Sequence, residues 1–206
     1  MKFITPTFFG TLAVLGAICV ISSCSRTQSL AGAWEAAPER IVVADASDAT
    51  STVTLDFTPV ENRRTPGQVS LTAVIELHQG VGTSSGSIEQ PWEVSVAATA
   101  SATGTYIYED GDDDDILITI DPSSLTVTVD PDGVVYNDNV LTGAETSSLD
   151  SLTAATAARW RVLLTPALRE QFNQYRRMDD IKVHHNSMLT AEIGDRDVTF
   201  RGVGRQ

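Results

Sequence analysis

Alternation of apolar and polar side chains with a period of two constrains the fold of this chain most. A β-strand with one buried face requires that period. The apolar positions are Val53, Leu55 and Phe57; Val69, Leu71, Ala73, Ile75 and Leu77; Ile116, Ile118 and Ile120; and Leu125, Val127 and Val129. Turn signals stand beside these segments at residues 65–67, 121–124 and 130–133. No helical pattern separates the segments, so we predict an antiparallel meander and exclude doubly wound α/β folds.

Residues 92–108 form one long alternating stretch whose inward row is large at both ends and small in the middle. A uniform strand of that length would extend about 55 Å, beyond the size of a normal sheet. We therefore expect it to bend or break around Ala102 to Gly104. The small inward residues either leave an internal cavity or allow sharp coiling, and we favour coiling with neighbouring Ile and Leu side chains filling the space.

The period changes to three and four between residues 148 and 178, which predicts helix. The first predicted helix, capped by Ser148 or Asp150, has the stripe Leu149, Leu152, Thr156, Trp160 and Leu163. Thr165–Pro166 is typical of a second helix start, followed by the stripe Leu168, Phe172 and Tyr175. Short strands return at 181–183, 188–193 and 198–201. We predict a mainly β fold of about eight or nine strands, with one or two helices before the last strands, closing into a barrel.

The first 23 residues have the pattern of an export signal, in which Lys2 precedes an apolar stretch at 8–21. That stretch is shorter than the roughly 20 residues of a membrane-spanning helix, so we predict a cleaved signal peptide. Ile21-Ser22-Ser23-Cys24 follows it and resembles the lipobox of bacterial lipoproteins, which implies lipidation of Cys24. The predicted organisation is a signal peptide at 1–23, a lipidated cysteine and tether at 24–30, and a single domain at 31–206.

Lipidation of Cys24 would determine both the location and the redox chemistry of the chain. Cys19 would leave with the signal, so no free thiol and no intramolecular disulfide would remain, and packing alone would stabilise the fold. Buried acyl chains supply membrane attachment at roughly 0.8 kcal/mol per methylene. The tether lacks the acidic residues that mark surface-exported lipoproteins. We therefore predict an outer-membrane anchor in the cell envelope that faces the periplasm rather than the surface.

Charge excludes one class of partner and suggests another. The chain has 27 acidic and 14 basic residues, a net charge of −13, which excludes nucleic acid and anionic membrane surfaces as partners of the polypeptide. Six of the basic residues lie between Arg159 and Lys182. They either pair with the acidic loops or meet an acidic protein partner, and we favour surface pairing, which adds little stability.

Acidic side chains dominate residues 109–138, where there are ten of them and no lysine or arginine. The loop from Asp110 to Asp115 offers oxygen atoms of the kind that Ca²⁺ prefers, but its spacing differs from that of an EF-hand. We favour a solvated hairpin loop.

No metal site or cofactor is predicted elsewhere. His184 and His185 are adjacent, so they would face opposite sides of a strand or both face solvent, and His78 is distant in sequence. No zinc-ligand spacing is present. There is no Gly-x-Ser-x-Gly motif, and the only cysteine left after signal removal is the lipidated one. We therefore predict no catalytic residues and no enzyme activity.

Gly32-Ala33-Trp34 at the start of the first strand has the Gly-x-Trp pattern that opens lipocalin-like proteins. With the lipobox and the β meander, the chain resembles the small lipocalin-like lipoproteins of Bacteroidota. The resemblance implies a calycin-type barrel with an apolar pocket and no enzyme activity. The chain departs from that pattern, because its helices precede the last strands, whereas a typical lipocalin places its long helix after the eighth strand.

Two functions follow as hypotheses. The first is a non-catalytic, lipid-anchored envelope protein that binds a small apolar ligand. The second is an interaction or scaffold subunit of an envelope complex, which would contact its protein partner through an exposed sheet face or the basic helices. A binder encloses a cavity of several hundred Å³, whereas a scaffold has a filled interior and an exposed patch.

Overall fold

The computed structural model describes residues 29–81, 92–109, 114–136, 146–185 and 187–204. Its elements in chain order are the strands β1 (Gly32–Ala36), β2 (Glu39–Arg40), β3 (Asp48–Phe57), β4 (Gly67–Val81), β5 (Trp92–Tyr108), β6 (Ile116–Ile120) and β7 (Thr126–Tyr136), the helix α1 (Thr146–Gln174), and the strands β8 (Arg177–His184), β9 (Met188–Ile193) and β10 (Arg196–Gly202). The predicted signal, Cys24, the tether up to residue 28 and Asp110–Asp113 lie outside the described residues.

Eight of these strands close into an antiparallel barrel. Their order is β1-β10-β9-β8-β6-β5-β4-β3, and β1 pairs with β3 as well as with β10, which completes the ring. β2 pairs with β3 beside β1, and β7 pairs with β5 beside β6. The predicted antiparallel barrel with helix before the last strands is thus confirmed.

The period-two pattern gives the barrel its apolar interior. Val53, Leu55 and Phe57 are each at most 1% exposed, as the alternation predicts. Val74, the residue that interrupts the apolar row of β4, lies on the outward face and is 58% exposed. The inward faces and α1 share one core, whose largest fully buried side chains include Trp34, Trp160, Phe57, Phe172 and Phe200.

β5 is continuous over 17 residues, so of the predicted bend or break around Ala102 to Gly104 the break is wrong. The interruption lies in its partner instead. Residues 104–108 of β5 pair with β6 and residues 94–101 pair with β7. Both partners therefore run along the same edge of β5, in line with each other, and they are not a hairpin.

The turn at Asp121–Ser124 occupies the gap between β6 and β7. Its chemistry was predicted correctly, because the Ser123 N–H donates to Asp121 Oδ1 over 2.9 Å. The Thr103 N–H of β5 donates to Ser124 Oγ over 2.9 Å, which keeps the turn against the strand. Through this turn the chain leaves β6 and continues as β7 along the same edge of β5.

The Pro-Asp-Gly composition of residues 130–133 had predicted a turn between two strands. In the structure these residues do not separate two strands. They form a bulge inside β7, since Val134 pairs with Val96 and Val129 pairs with Ala98. The Asp132 N–H donates to Asp130 Oδ1 over 3.0 Å, which stabilises the bulge.

The structure has a single helix in the region where the sequence pattern predicted two helix starts. α1 continues through Pro166, so the predicted second helix start is wrong. Leu164 and Leu168 on either side of the proline are fully buried, and this packing holds the helix together where an N–H is missing. The Thr165 hydroxyl donates to the Arg161 carbonyl over 2.7 Å. Leu152, predicted to face inward, is 41% exposed.

Among the described helical residues, α1 included, no stretch is long and apolar enough to cross a membrane.

Tyr106 supplies a pH-dependent contribution to stability. Its hydroxyl donates to the Thr58 carbonyl over 2.6 Å. Burial, and secondarily the charge of Tyr108, raises the pKa of Tyr106 to about 12. The folded state thus holds the proton more tightly than the unfolded chain, whose tyrosines titrate near 10, so this stability is present below pH 10 and is lost as the pH rises toward 12.

We expect the free energy of unfolding to fall by roughly 2 kcal/mol more for the wild type than for Tyr106→Phe between pH 10 and 12. Urea denaturation at the two pH values measures both. Equal pH dependence in the two proteins would contradict the burial of this hydroxyl.

Candidate functional site

Three segments enclose a cleft of about 640 Å³ at the surface of the barrel. They are residues 39–42, the second half of α1, and the turn between β9 and β10. We call this space the α1 cleft. Its lining residues are Glu39, Arg40, Ile41, Val42, Ala167, Glu170, Gln171, Gln174, Ile193, Gly194, Asp195 and Arg196.

Gln171 is the unusual member of this set. Its side chain is 97% buried, since only 3% is exposed, and within the described ranges neither Nε2 nor Oε1 has a hydrogen-bond partner. Buried amides almost always have partners, because an unmet one loses its bonds to water without replacement. The helix thus holds an unpaired donor and acceptor in the buried layer, with almost no surface open to solvent.

The charged residues of the α1 cleft are unevenly paired. Arg196 donates to Glu39 Oε1 and to Gln174 Oε1, each over 3.3 Å. Arg40 forms an ion pair with Asp48, with Nε 3.2 Å from Oδ1. Glu170 and Asp195 have no ion pair among the residues that the structure describes. The cleft therefore holds two carboxylates whose charge is not neutralised locally.

Tyr175 lies next to this charge network and stays neutral. The side chain is 3% exposed. Burial, followed by the negative charge of Glu39, raises the pKa of Tyr175 above its ordinary range, and the charge of Arg196 opposes this shift. The hydroxyl is therefore no source of negative charge at the cleft.

A second, smaller cleft of about 110 Å³ lies beside Ala102. Its apolar lining consists of Ala102, Ile120, Pro122, Leu125 and Phe172, and Arg169, Asn173, Arg176 and Asp121 complete it. Phe172 of α1 thus lies at the small-residue row of β5, where neighbouring Ile and Leu side chains had been predicted to fill the space.

The described part of the acidic loop surrounds an arginine. Arg177 lies 2.9 Å from Glu109 Oε2, 3.6 Å from Asp115 Oδ2 and 2.7 Å from Asp179 Oδ1. The three carboxylates lie within 4.8 Å of one another. The hydrogen bond to Asp179, and then the charges of Asp179 and Glu109, raise the pKa of Arg177 above its ordinary value. The guanidinium therefore stands among the oxygens that a cation would use, while Asp110–Asp113 lie outside the described residues.

We expect Arg177→Gln to lower the free energy of unfolding at pH 7, because three carboxylates would then repel one another at short range. The deficit should shrink at about 1 M NaCl, where screening over about 3 Å weakens the repulsion. Urea denaturation at low and at high salt measures it, with Arg161→Gln, an exposed arginine on α1, as the control. A deficit of the same size at high salt would show that packing, not charge, is responsible.

The histidines lie apart from the α1 cleft. His78 Nδ1 is 3.0 Å from Ser95 Oγ and 3.9 Å from Glu93 Oε1, so the hydroxyl and the carboxylate approach the same ring nitrogen. A serine relay needs them at opposite nitrogens. His184 Nε2 lies 3.4 Å from Thr190 Oγ1, and His185 is exposed with φ of 50°. This arrangement offers no activated serine at Ser95.

Sequence reasoning missed Gln171, although a signal was present. Its position on the predicted stripe, next to Phe172 and three residues after Leu168, places a polar side chain where the pattern expects an apolar one. The other walls of the cleft come from residues more than 100 positions earlier and about 20 positions later.

Comparison with protein-family models, with curated proteins and with solved structures gives no match to this chain. The proposed function therefore rests on the geometry of the barrel and its clefts.

Proposed function

We propose that this protein is a non-catalytic lipoprotein of the bacterial cell envelope whose lipocalin-like barrel binds a small molecule in the α1 cleft. Lipid on Cys24 anchors it to the outer membrane, facing the periplasm. The tether at 24–30 connects this anchor to β1, which begins at Gly32.

The α1 cleft is the observation that carries this proposal. Its volume of about 640 Å³ lies within the range of small-molecule sites, roughly 300–1,000 Å³. It combines apolar walls, such as Ile41 and Ile193, with a few polar groups, and such groups fix the orientation of a ligand. Glu170, Asp195 and Arg196 are among these polar groups.

An apolar ligand, as the resemblance to lipocalin-like lipoproteins implies, would suit the smaller cleft beside Ala102. Its 110 Å³ accommodates only a short chain of carbon atoms. Arg169 and Arg176 at this cleft have no ion pair within the described part of the chain. A small apolar group that carries a negative charge is the form of ligand that this lining favours.

Native mass spectrometry of the soluble form, residues 25–206 exported to a bacterial periplasm, tests the binding function. The described barrel lies wholly within residues 29–204, so this form contains all of it. We expect a reproducible adduct of a few hundred daltons that is lost on unfolding. A bare mass under gentle conditions, with no adduct from periplasmic extract, would contradict small-molecule binding.

An interaction subunit is the second candidate, and exposed arginines favour it. Arg161, Arg169 and Arg176 are exposed and have no ion pair among the residues described here. In the barrel wall, the cross-strand pair Ile107 of β5 and Leu117 of β6 is 37% and 39% exposed. Crosslinking on intact cells would capture an acidic partner, and changing the three arginines to glutamate should abolish the crosslink. An unchanged crosslink would exclude this surface.

A further inference from the structure

We propose that the smaller cleft beside Ala102 binds a free amino acid with an aliphatic side chain. The aliphatic group enters the apolar interior of the cleft, the carboxylate lies against Arg169 and Arg176, and the ammonium group lies against Asp121. This inference rests on the proposed binding function, because it assigns a ligand class to the smaller of its two clefts.

The interior of the smaller cleft suits a short hydrocarbon group. Its buried lining residues, Ala102, Ile120 and Phe172, are all apolar. The volume of about 110 Å³ equals that of roughly three or four water molecules in the liquid, at about 30 Å³ each. A methyl or methylene group is of similar size, so the space suits the aliphatic part of valine or leucine.

Two arginines at the rim are available for a carboxylate. Arg169, Asn173 and Arg176 recur at spacings of four and three, which places them on one face of α1 and of the turn that continues it. The Arg176 N–H donates to the Asn173 carbonyl over 3.3 Å, and the Arg176 carbonyl accepts from the Ile118 N–H over 2.7 Å, so this backbone is fixed against β6. Neither guanidinium has an ion pair within the described part of the chain. Guanidinium groups bind carboxylates through paired hydrogen bonds.

Asp121 supplies the opposite charge at the same rim. The Ser123 N–H and the Ser123 hydroxyl both donate to Asp121 Oδ1, over 2.9 and 2.7 Å. The hydroxyl bond, followed by the N–H bond, lowers the pKa of Asp121, so the carboxylate is ionised at neutral pH. Its Oδ2 has no partner among the residues that the structure describes. An ammonium group would bond this oxygen without displacing Ser123.

Together these groups select among small ligands. An uncharged hydrocarbon would make no use of the arginines, and a simple carboxylic acid would bring a second negative charge beside Asp121 with nothing to offset it. An amino acid meets both signs of charge and also fills the apolar interior. Glycine lacks the carbon atoms to fill this space, and the side chain of tryptophan exceeds it.

An acidic side chain of a protein partner is the main rival ligand for Arg169 and Arg176. It would bind these arginines without an ammonium group and without filling the apolar interior. The test therefore compares probes that each lack one part of the amino acid.

The experiment titrates the ¹⁵N-labelled soluble form, residues 25–206, with leucine, 4-methylpentanoate, leucinamide and glycine. 4-Methylpentanoate lacks the ammonium group, leucinamide lacks the carboxylate and glycine lacks the aliphatic group. With leucine we expect saturable shifts of the backbone N–H resonances within residues 121–125 and 169–176. Each of the other three probes should bind at least tenfold more weakly.

Variants assign the charged contacts. Arg169→Gln combined with Arg176→Gln should weaken leucine binding at least tenfold and leave leucinamide binding unchanged. Asp121→Asn should weaken leucine binding and abolish its advantage over 4-methylpentanoate. Arg161→Gln is the matched control, because Arg161 is also an exposed arginine of α1 but does not line this cleft. Its affinity for leucine should equal that of the wild type.

Ala102→Val tests the apolar interior. It adds two methyl groups at the wall of the cleft, so leucine binding should weaken at least tenfold while glycine binding stays unchanged. Ala102 is buried in the core, and thermal unfolding shows whether the variant folds. If it does not fold, the comparison of leucine with glycine in the wild type decides the same point.

The outcomes distinguish this inference from the proposed function. If native mass spectrometry finds an adduct of a few hundred daltons but leucine causes no saturable shift, binding at the α1 cleft stands and this inference is wrong. Equal affinity for leucine and 4-methylpentanoate overturns the role of Asp121, and equal affinity for leucine and glycine overturns the role of the interior. If neither an adduct nor a response to leucine is found, both proposals fail and an acidic protein partner accounts for the arginines.

Discussion

Replacement of Trp160 by alanine is expected to lower the free energy of unfolding by about 3–5 kcal/mol, the range for large aromatic residues in a core. Trp160 is fully buried on α1. Its Nε1 has no hydrogen-bond partner among the described residues, so the loss comes from packing and from the cavity left behind. Urea denaturation of the soluble form measures the change.

Val162→Ala is the matched control for this helix. Val162 lies two residues away and is 68% exposed, so we expect a change within about 0.5 kcal/mol. A loss at Trp160 no larger than that at Val162 would contradict the insertion of α1 into the core.

Gly104→Ala should destabilise the barrel by about 1–3 kcal/mol, the usual cost of forcing extra atoms into a packed region. A Cβ at Gly104 would meet the Thr119 carbonyl oxygen and lie 3.0 Å from Ile120 Cα. Both contacts are with the backbone of β6, which cannot turn aside as a flexible side chain can. The pairing of β5 with β6 therefore depends on glycine at position 104, because glycine has no Cβ.

Gly80→Ala provides the comparison for Gly104, because Gly80 also lies in a long strand. Nothing lies within 4 Å of a Cβ built there. Alanine should therefore be neutral, or stabilising by up to about 1 kcal/mol through the unfolded chain. If thermal and denaturant unfolding show the same loss for both variants, the close approach of β6 to Gly104 is contradicted.

The local part of this fold was predictable, because alternation depends only on which face of a strand is buried. That is why the inward rows of β3 and β4 match the sequence pattern residue by residue. Pairing partners were not predictable in the same way. The turn at Asp121–Ser124 has the composition of a hairpin turn, and only the pairing of both strands with β5 places β6 and β7 along one edge.

In the helix, too, the local sequence and the tertiary contacts favour different structures. Pro166 after Thr165 has the local signature of a helix start, yet the burial of Leu164 and Leu168 keeps the helix continuous. Gln171 is visible as a polar residue in an apolar stripe. The α1 cleft itself was not predictable, because its walls at residues 39–42 and 193–196 meet only when the barrel closes.

The seam between β1 and β10 has a consequence for how the protein is made. Trp34 pairs with Gly202 and Ala36 with Phe200, so the first strand of the domain waits for the last. A chain synthesised from its amino end cannot close this ring until nearly all of it has been made. Contacts so distant in sequence form slowly, and the edge of β1 that pairs with β10 is exposed to other chains meanwhile. Protection from aggregation during folding is therefore a requirement that this topology imposes on the cell.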